Sequence, residues 1–305
     1  MSRRRVSSGA FGIPIRETVG VRLSLARSGA AVAIASAIVL FAAPAAFANA
    51  ADSTNWAGYA VHGNGVRYRT VKGSWREPGA TCTPGEPTYS SFWIGIGGYS
   101  QTSQALDQIG TEVDCTAAGQ VVSSAWYELV PAGAVNLKLA VHPGDLVNAR
   151  VAVAGKEVSL YLYDATRKHG FSKTLTASQV DASSADWIVE APSECITQNA
   201  CQTLPLANFG TASFTGASAK SSSGHSGGID DLRWQHTKID LVPLGRRFFA
   251  GNSASPSIGT ATPTPIGADK HSFKVAYSSV PLPTLPSPVA MQSTARATDL
   301  MRRGP

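Results

Sequence analysis

The stretch "DLVNARVAVAGKEVSLYLYD", residues 145–164, alternates apolar and polar side chains on either side of an Ala-Gly step. Val147, Ala149, Val151 and Val153 fall on one face with Asn148 and Arg150 on the other; after the step, Val158, Leu160 and Leu162 oppose Ser159, Tyr161 and Tyr163. Successive side chains of a strand point to opposite faces, so this period of two, broken by the Ala-Gly, reads as a β-hairpin with one buried face. A helix would need apolar residues three and four apart, and no window of helical length sustains that spacing.

The same punctuation extends in both directions. Short runs rich in Val, Ile, Tyr, Trp and Thr alternate with Gly, Pro, Asn, Asp and Ser, which places further strands at 56–61, 67–75, 91–96, 106–113, 121–130, 135–141, 186–190, 207–214, 238–242 and 272–277. So many strands without crossover helices predict an all-β chain, a β-sandwich of two antiparallel sheets packed face to face in the concanavalin-like jelly-roll manner.

The two ends read differently. Arg3, Arg4, Arg5, Arg16, Arg22 and Arg27 precede an apolar stretch, 30–47, that ends in small residues, the pattern of a secretory signal peptide cleaved after Ala48 or Ala50. Residues 1–50 are therefore expected to be leader, 51–278 the sandwich domain, and 279–305, opening with "SVPLPTLPSP", a Pro-rich tail without a periodic apolar face. The expected product is secreted, free of the membrane after cleavage, and monomeric. Of 26 Lys and Arg and 20 Asp and Glu, the leader holds six and one, so the exported part carries 20 against 19. No basic patch remains to argue for nucleic acid.

An oxidising destination makes disulfides the default for Cys82, Cys115, Cys195 and Cys201. Three pairings are possible on paper. The short "ITQNA" loop between Cys195 and Cys201 is easily closed, which leaves Cys82 with Cys115. No CxxC or paired-His spacing supports a metal, and no cofactor is expected. "GHSGG", 224–228, matches a nucleophile elbow, but it lacks the buried strand before and the helix after that an elbow needs, so a Ser226 nucleophile is set aside for a turn.

What remains are carboxylates and amides within aromatic strands. In "SADWIVEAPSEC", 184–195 preceded by Ser183, alternation puts Ala185, Trp187 and Val189 on one side and Asp186, Ile188 and Glu190 on the other, with Glu190 expected to be half buried. Together with "NWAGY", "SFWIGIGG", "ALDQIGTEVD" and "SSAWYELVP", in that order, this segment resembles the glutamic peptidase (eqolisin) family over about residues 53–277. The resemblance implies an acid-acting, metal-independent endopeptidase with Gln108 and Glu190 as its catalytic pair. It also implies that Trp56, Trp93, Tyr127 and Glu128 line the substrate cleft, that proteins or peptides are the substrates, and that the "ECITQNAC" loop carries a bridge. Two positions depart from the family pattern: Gly97 and Ser124 stand where acidic residues are usual. The competing expectation is a noncatalytic sandwich that binds glycans or peptides through Trp56, Trp93 and Trp126.

An ordinary Glu titrates near 4.3, so one carboxylate can take a proton from water and return it to the departing amine under acid conditions without a large shift. A Gln amide offers a neutral donor to the developing oxyanion, and its strength does not fade as pH falls.

Overall fold

The hairpin read from 145–164 forms: Leu146–Ala154 and Glu157–Asp164 pair antiparallel, with Glu157 opposite Ala154, so the turn is Gly155-Lys156, one residue later than the Ala-Gly reading. Gly155 supplies the positive φ of 61° that this tight turn requires. Val147, Val151, Val158, Leu160 and Leu162 are buried, and the Tyr and Ser positions between them are not.

The computed structural model describes residues 5–6, 49–197, 200–242 and 257–281. Most of the expected leader and tail lie outside these residues. In chain order the strands are β1 (Arg5–Val6), β2 (Asn49–Ser53), β3 (Trp56–His62), β4 (Tyr68–Arg76), β5 (Thr88–Gly97), β6 (Leu106–Cys115) and β7 (Val121–Leu129). There follow β8 (Val135–Asn136), β9 (Leu146–Ala154), β10 (Glu157–Asp164), β11 (His169–Thr176), β12 (Ser184–Glu190), β13 (Ser193–Thr197) and β14 (Ala200–Thr203). The last are β15 (Thr211–Ser221), β16 (Ser226–Gly227), β17 (Gln235–Leu241), β18 (Ser257–Pro263) and β19 (Phe273–Pro281).

No helix occurs among the described residues. The main hydrogen-bonded path runs β11-β10-β9-β4-β15-β19-β18-β17-β3-β12-β5-β6-β7-β8, and a small second sheet is β1-β13-β14. One residue pair, Leu241 with Ala261, joins β17 to β18, and there the path folds into two layers. β4 packs against β5 and β12, and β9 against β5 and β6, which makes the sandwich expected from the sequence. Among the described strands, ladder pairing is antiparallel except for β2, which runs parallel to β17.

The main core lies between the layers. Trp75, Val151, Leu160 and Phe214 come from the first layer; Phe92, Ile94, Ile109 and Trp187 come from the second. Trp187 crosses the gap, donating from Nε1 to the Lys72 carbonyl at 2.7 Å. The Trp187 ring needs Gly73, where an added Cβ would lie 2.9 Å from Trp187 Cδ1. β12 is thereby anchored by its odd residues, and its even residues face the other way.

Several expected boundaries are corrected. Of 135–141 only Val135–Asn136 is strand; Leu139 and Val141 are buried off the ladder, and their alternating burial imitates one. The strand expected at 207–214 is Thr211–Ser221, and β19 runs through Pro281, past the expected end of the domain at 278. His169–Thr176 was too polar to read as a strand because, at the edge of the first layer, it buries almost nothing.

Cys82 and Cys115 are bonded, tying the approach to β5 to the end of β6. Cys201 is also disulfide-bonded, and the backbone register sets Cys195 opposite it; the Cys195 side chain lies outside the described residues.

Candidate active site

The outer face of the second layer is legible from register alone. Paired residues in an antiparallel ladder share a face. Glu190 of β12 stands between Trp56 of β3 and Ser91 of β5, and Ser91 in turn faces Glu112 of β6 and, beyond it, Ser124 of β7. Two residues along, Gly58, Ile188, Trp93, Gly110 and Trp126 form the next row; two further, Ala60, Asp186, Gly95, Gln108 and Glu128 form a third. Gln108 and Glu190 thus share one face, two strands and four residues apart.

A second apolar cluster covers this face, including Trp56, Trp93, Leu106, Trp126 and Ile188. Glu190 is fully buried rather than half buried, as are Gln108 and Glu128. Trp93 Nε1 donates to Glu190 Oε2 at 2.8 Å, and Asn55 Nδ2 donates to Oε1 at 3.1 Å. The Asn55 amide is itself oriented: Ser53 Oγ donates to Asn55 Oδ1 at 3.3 Å and accepts the backbone N–H of Trp56 at 3.0 Å, and the Asn55 carbonyl accepts the Ala191 N–H at 2.8 Å. The loop before β3 therefore grips the end of β12 through side chain and backbone together.

Trp93 reaches between the two rows. Its Cζ3 lies 3.1 Å from where a Gly95 Cβ would be, and its Cβ lies 2.5 Å from where a Gly110 Cβ would be, so the side chain needs glycine at both positions, its indole lying over Gly95. Trp56 meets it edge to face, with ring centroids 5.0 Å apart. Trp56 Nε1, Trp126 Nε1 and Ser91 Oγ are buried on this face with no hydrogen-bond partner among the described residues.

Gln108 Nε2 donates to Glu128 Oε2 across the β6–β7 ladder at 2.8 Å. That bond fixes the amide plane, and a Gln amide carries a second N–H. Asp186, in the same row, accepts from Ser184 Oγ at 3.0 Å, and burial pushes its pKa well above the usual carboxylate value, with Asp181 adding to the effect.

The structure places Gln108, Glu190, Trp56, Trp93 and Glu128 on one face of the second layer. Tyr127 is a correction: it lies on the opposite face of β7, stacked on Phe171 at 5.7 Å, and the aromatic residue facing the site is Trp126. Counting two back from Glu128 would have found it. Asn55, Ser53 and Asp186 were also missed; the only hint of the first pair was the turn-forming "SxN" before Trp56. Gly97 has φ +88°, and a Cβ there would meet the Asp181 carbonyl at 2.5 Å, so no acidic side chain fits. At the other departure, Ser124 Oγ donates to Glu112 Oε1 at 2.8 Å. Ser226 is exposed, and its neighbour His225 pairs through Nε2 with Asp231 Oδ2 at 3.0 Å, in a loop far from any elbow geometry.

The model of the Peptidase A4 family matches residues 54–242. The fold is similar to that of scytalido-glutamic peptidase solved with a transition state analog inhibitor, at 21% identity and a TM-score of 0.57, over 74% of this chain and 98% of that one. It is likewise similar to SCP-B, a member of the eqolisin family of peptidases in complex with the tripeptide Ala-Ile-His, at 22% identity and a TM-score of 0.52, over 74% and 98% of the two chains. No curated protein matches the sequence. With that family match across the strands that build the tryptophan-covered face, the chain belongs to the Peptidase A4 family, the eqolisins, and is a glutamic endopeptidase.

Proposed function

We propose that the protein is a secreted, acid-acting endopeptidase in which Glu190 activates water and Gln108 stabilises the oxyanion. The observation that carries this reading is that the two side chains are wholly buried on one face of one sheet, on either side of Trp93.

Glu190 as carboxylate removes a proton from a water molecule as the water attacks the scissile carbonyl carbon; the same proton, held on the carboxylic acid, then passes to the departing amine. No covalent acyl-enzyme forms. Donors from Trp93 and Asn55 hold both carboxylate oxygens in place. Glu128 accepts from Gln108 and so orients the amide that stabilises the oxygen on which negative charge grows, a contribution worth about 10²- to 10³-fold in rate. The surrounding indoles exclude water from the reacting centre.

Export follows from the basic and apolar leader. Cleavage after Ala48 leaves β2 whole, whereas cleavage after Ala50 removes Asn49 and Ala50, which pair with Thr237 and Lys238. N-terminal sequencing of protein from the culture medium should find Asn49 first.

The deciding experiment is hydrolysis of an unfolded protein at about pH 3–4, the region where Glu titrates. Wild type should cleave, with or without a chelator; Glu190→Gln should not, while keeping its fold and its affinity for peptide. Undiminished cleavage by that variant would reject the pair.

A further inference from the structure

The residue beside Glu190 on β5 is a serine. Ser91 is the direct cross-strand partner of Glu190 on the site face, a pairing that sets Cβ atoms about 4.5–5.5 Å apart. On its other side Ser91 faces Glu112 of β6, which puts one hydroxyl between two carboxylates. It bonds to neither. Ser91 is 2% exposed, and its Oγ has no hydrogen-bond partner among the described residues. Buried serines close by are tied down: Ser90 Oγ donates to the Val113 carbonyl at 2.9 Å, and Ser184 Oγ to Asp186 Oδ2 at 3.0 Å.

A buried hydroxyl that makes no bond destabilises a fold, and alanine would fill the same place on β5 without that cost. Packing therefore gives no reason for this oxygen. The reaction does. A water about to attack a carbonyl carbon must hold one lone pair on that carbon, which requires both of its hydrogens to be restrained. Glu190 takes one of them, from within about 2.6–3.2 Å. The other needs an acceptor within reach of the same water, and Ser91 stands next to Glu190 in its row, whereas Gln108 is two strands and four residues away.

We propose that Ser91 Oγ positions the attacking water, accepting its second hydrogen while Glu190 removes the first. The water oxygen bonds to the carbonyl carbon as its first proton passes to Glu190. That proton then goes to the departing amine as the C–N bond breaks, and the second hydrogen stays with the oxygen of the new carboxylic acid. Ser91 keeps its own proton and forms no bond to carbon, which separates its role from that of a serine nucleophile. The inference rests on the catalytic reading above.

Ser91→Ala and Ser91→Thr test it, beside Glu190→Gln, on a peptide with one cleavable bond at about pH 3–4. Ser91→Ala should lose about tenfold in kcat, with KM within about twofold of wild type and a melting temperature no lower than wild type's. Ser91→Thr keeps a hydroxyl on a residue that suits a strand, and should bring kcat back to within about threefold of wild type. A hydroxyl that only supported the fold would lower kcat and melting temperature together. Unchanged kcat in Ser91→Ala, a loss carried by KM, a lowered melting temperature, or a Ser91→Thr as slow as Ser91→Ala would each overturn the proposal. If Glu190→Gln cleaves as fast as wild type, the catalytic reading falls and this one with it; if Glu190→Gln is inactive while Ser91→Ala cleaves normally, only the role of Ser91 falls.

Discussion

Glu190 is held by two donors that come from different places in the chain, and each can be removed alone. Trp93→Phe deletes the 2.8 Å N–H contact while keeping most of the ring, and Asn55→Ala deletes the 3.1 Å contact. A charge-assisted bond in a buried site contributes about 1.5–3 kcal/mol, so each variant should lose about 10- to 100-fold in kcat with a much smaller change in KM. The melting temperature of each variant should stay within a few degrees of wild type, so that the loss falls on the turnover step rather than on folding. Unchanged kcat with a lowered melting temperature would mean that the two residues only support the fold. Glu128→Gln addresses the other member of the pair: it keeps the size of the side chain but lets the Gln108 amide choose its orientation, and a fall of about tenfold in kcat should follow as part of the oxyanion contribution is lost.

Two glycines and one indole decide how β12 and β5 present these groups. Gly110→Ala would drive a Cβ to 2.3 Å from the Phe92 carbonyl and 2.5 Å from Trp93 Cβ, too close for either to stay where it is. Activity should fall further than in most exposed-strand changes, and circular dichroism of the tryptophans should change with it. Trp187→Ala empties the cross-layer anchor of β12 and should cost about 3–5 kcal/mol in denaturant unfolding. The alternation that separates Trp187 from Glu190 was readable in the sequence, as was the hairpin at 145–164, since both depend on one buried face per strand. Tyr127 was misplaced for want of the same count. The completeness of Glu190 burial was not readable, because it depends on Trp56 and Trp93, from two other strands, and on Asn55, from the loop before one of them. The short β8 and the polar β11 escaped for a related reason: at the edges of a sheet, pairing no longer follows hydropathy.

Across the whole molecule, buried carboxyls without a cation beside them set a preference for acid. Burial raises Glu77 to about 8, despite hydrogen bonds from Thr111 and Trp75, and Asp107 to about 7, with Asp181 adding to the effect. Asp186 is raised as well. In the unfolded chain these groups titrate near 4, so the folded form binds more protons between about pH 4 and pH 8. Their contribution is fully present below that window and is lost as pH rises through it. Melting temperatures should therefore decline from pH 4 to pH 8, and Glu77→Gln should flatten the upper part of that slope; a curve that rises with pH would contradict this account. The Ser53–Asn55 clasp has a consequence of another kind. It joins the first strands of the domain to a strand 135 residues later, so Glu190 is gripped only when both ends of that long loop have met. A nascent or half-melted chain should therefore be harmless to its neighbours, and stopped-flow refolding should see digestion return only after the tryptophan signal has settled.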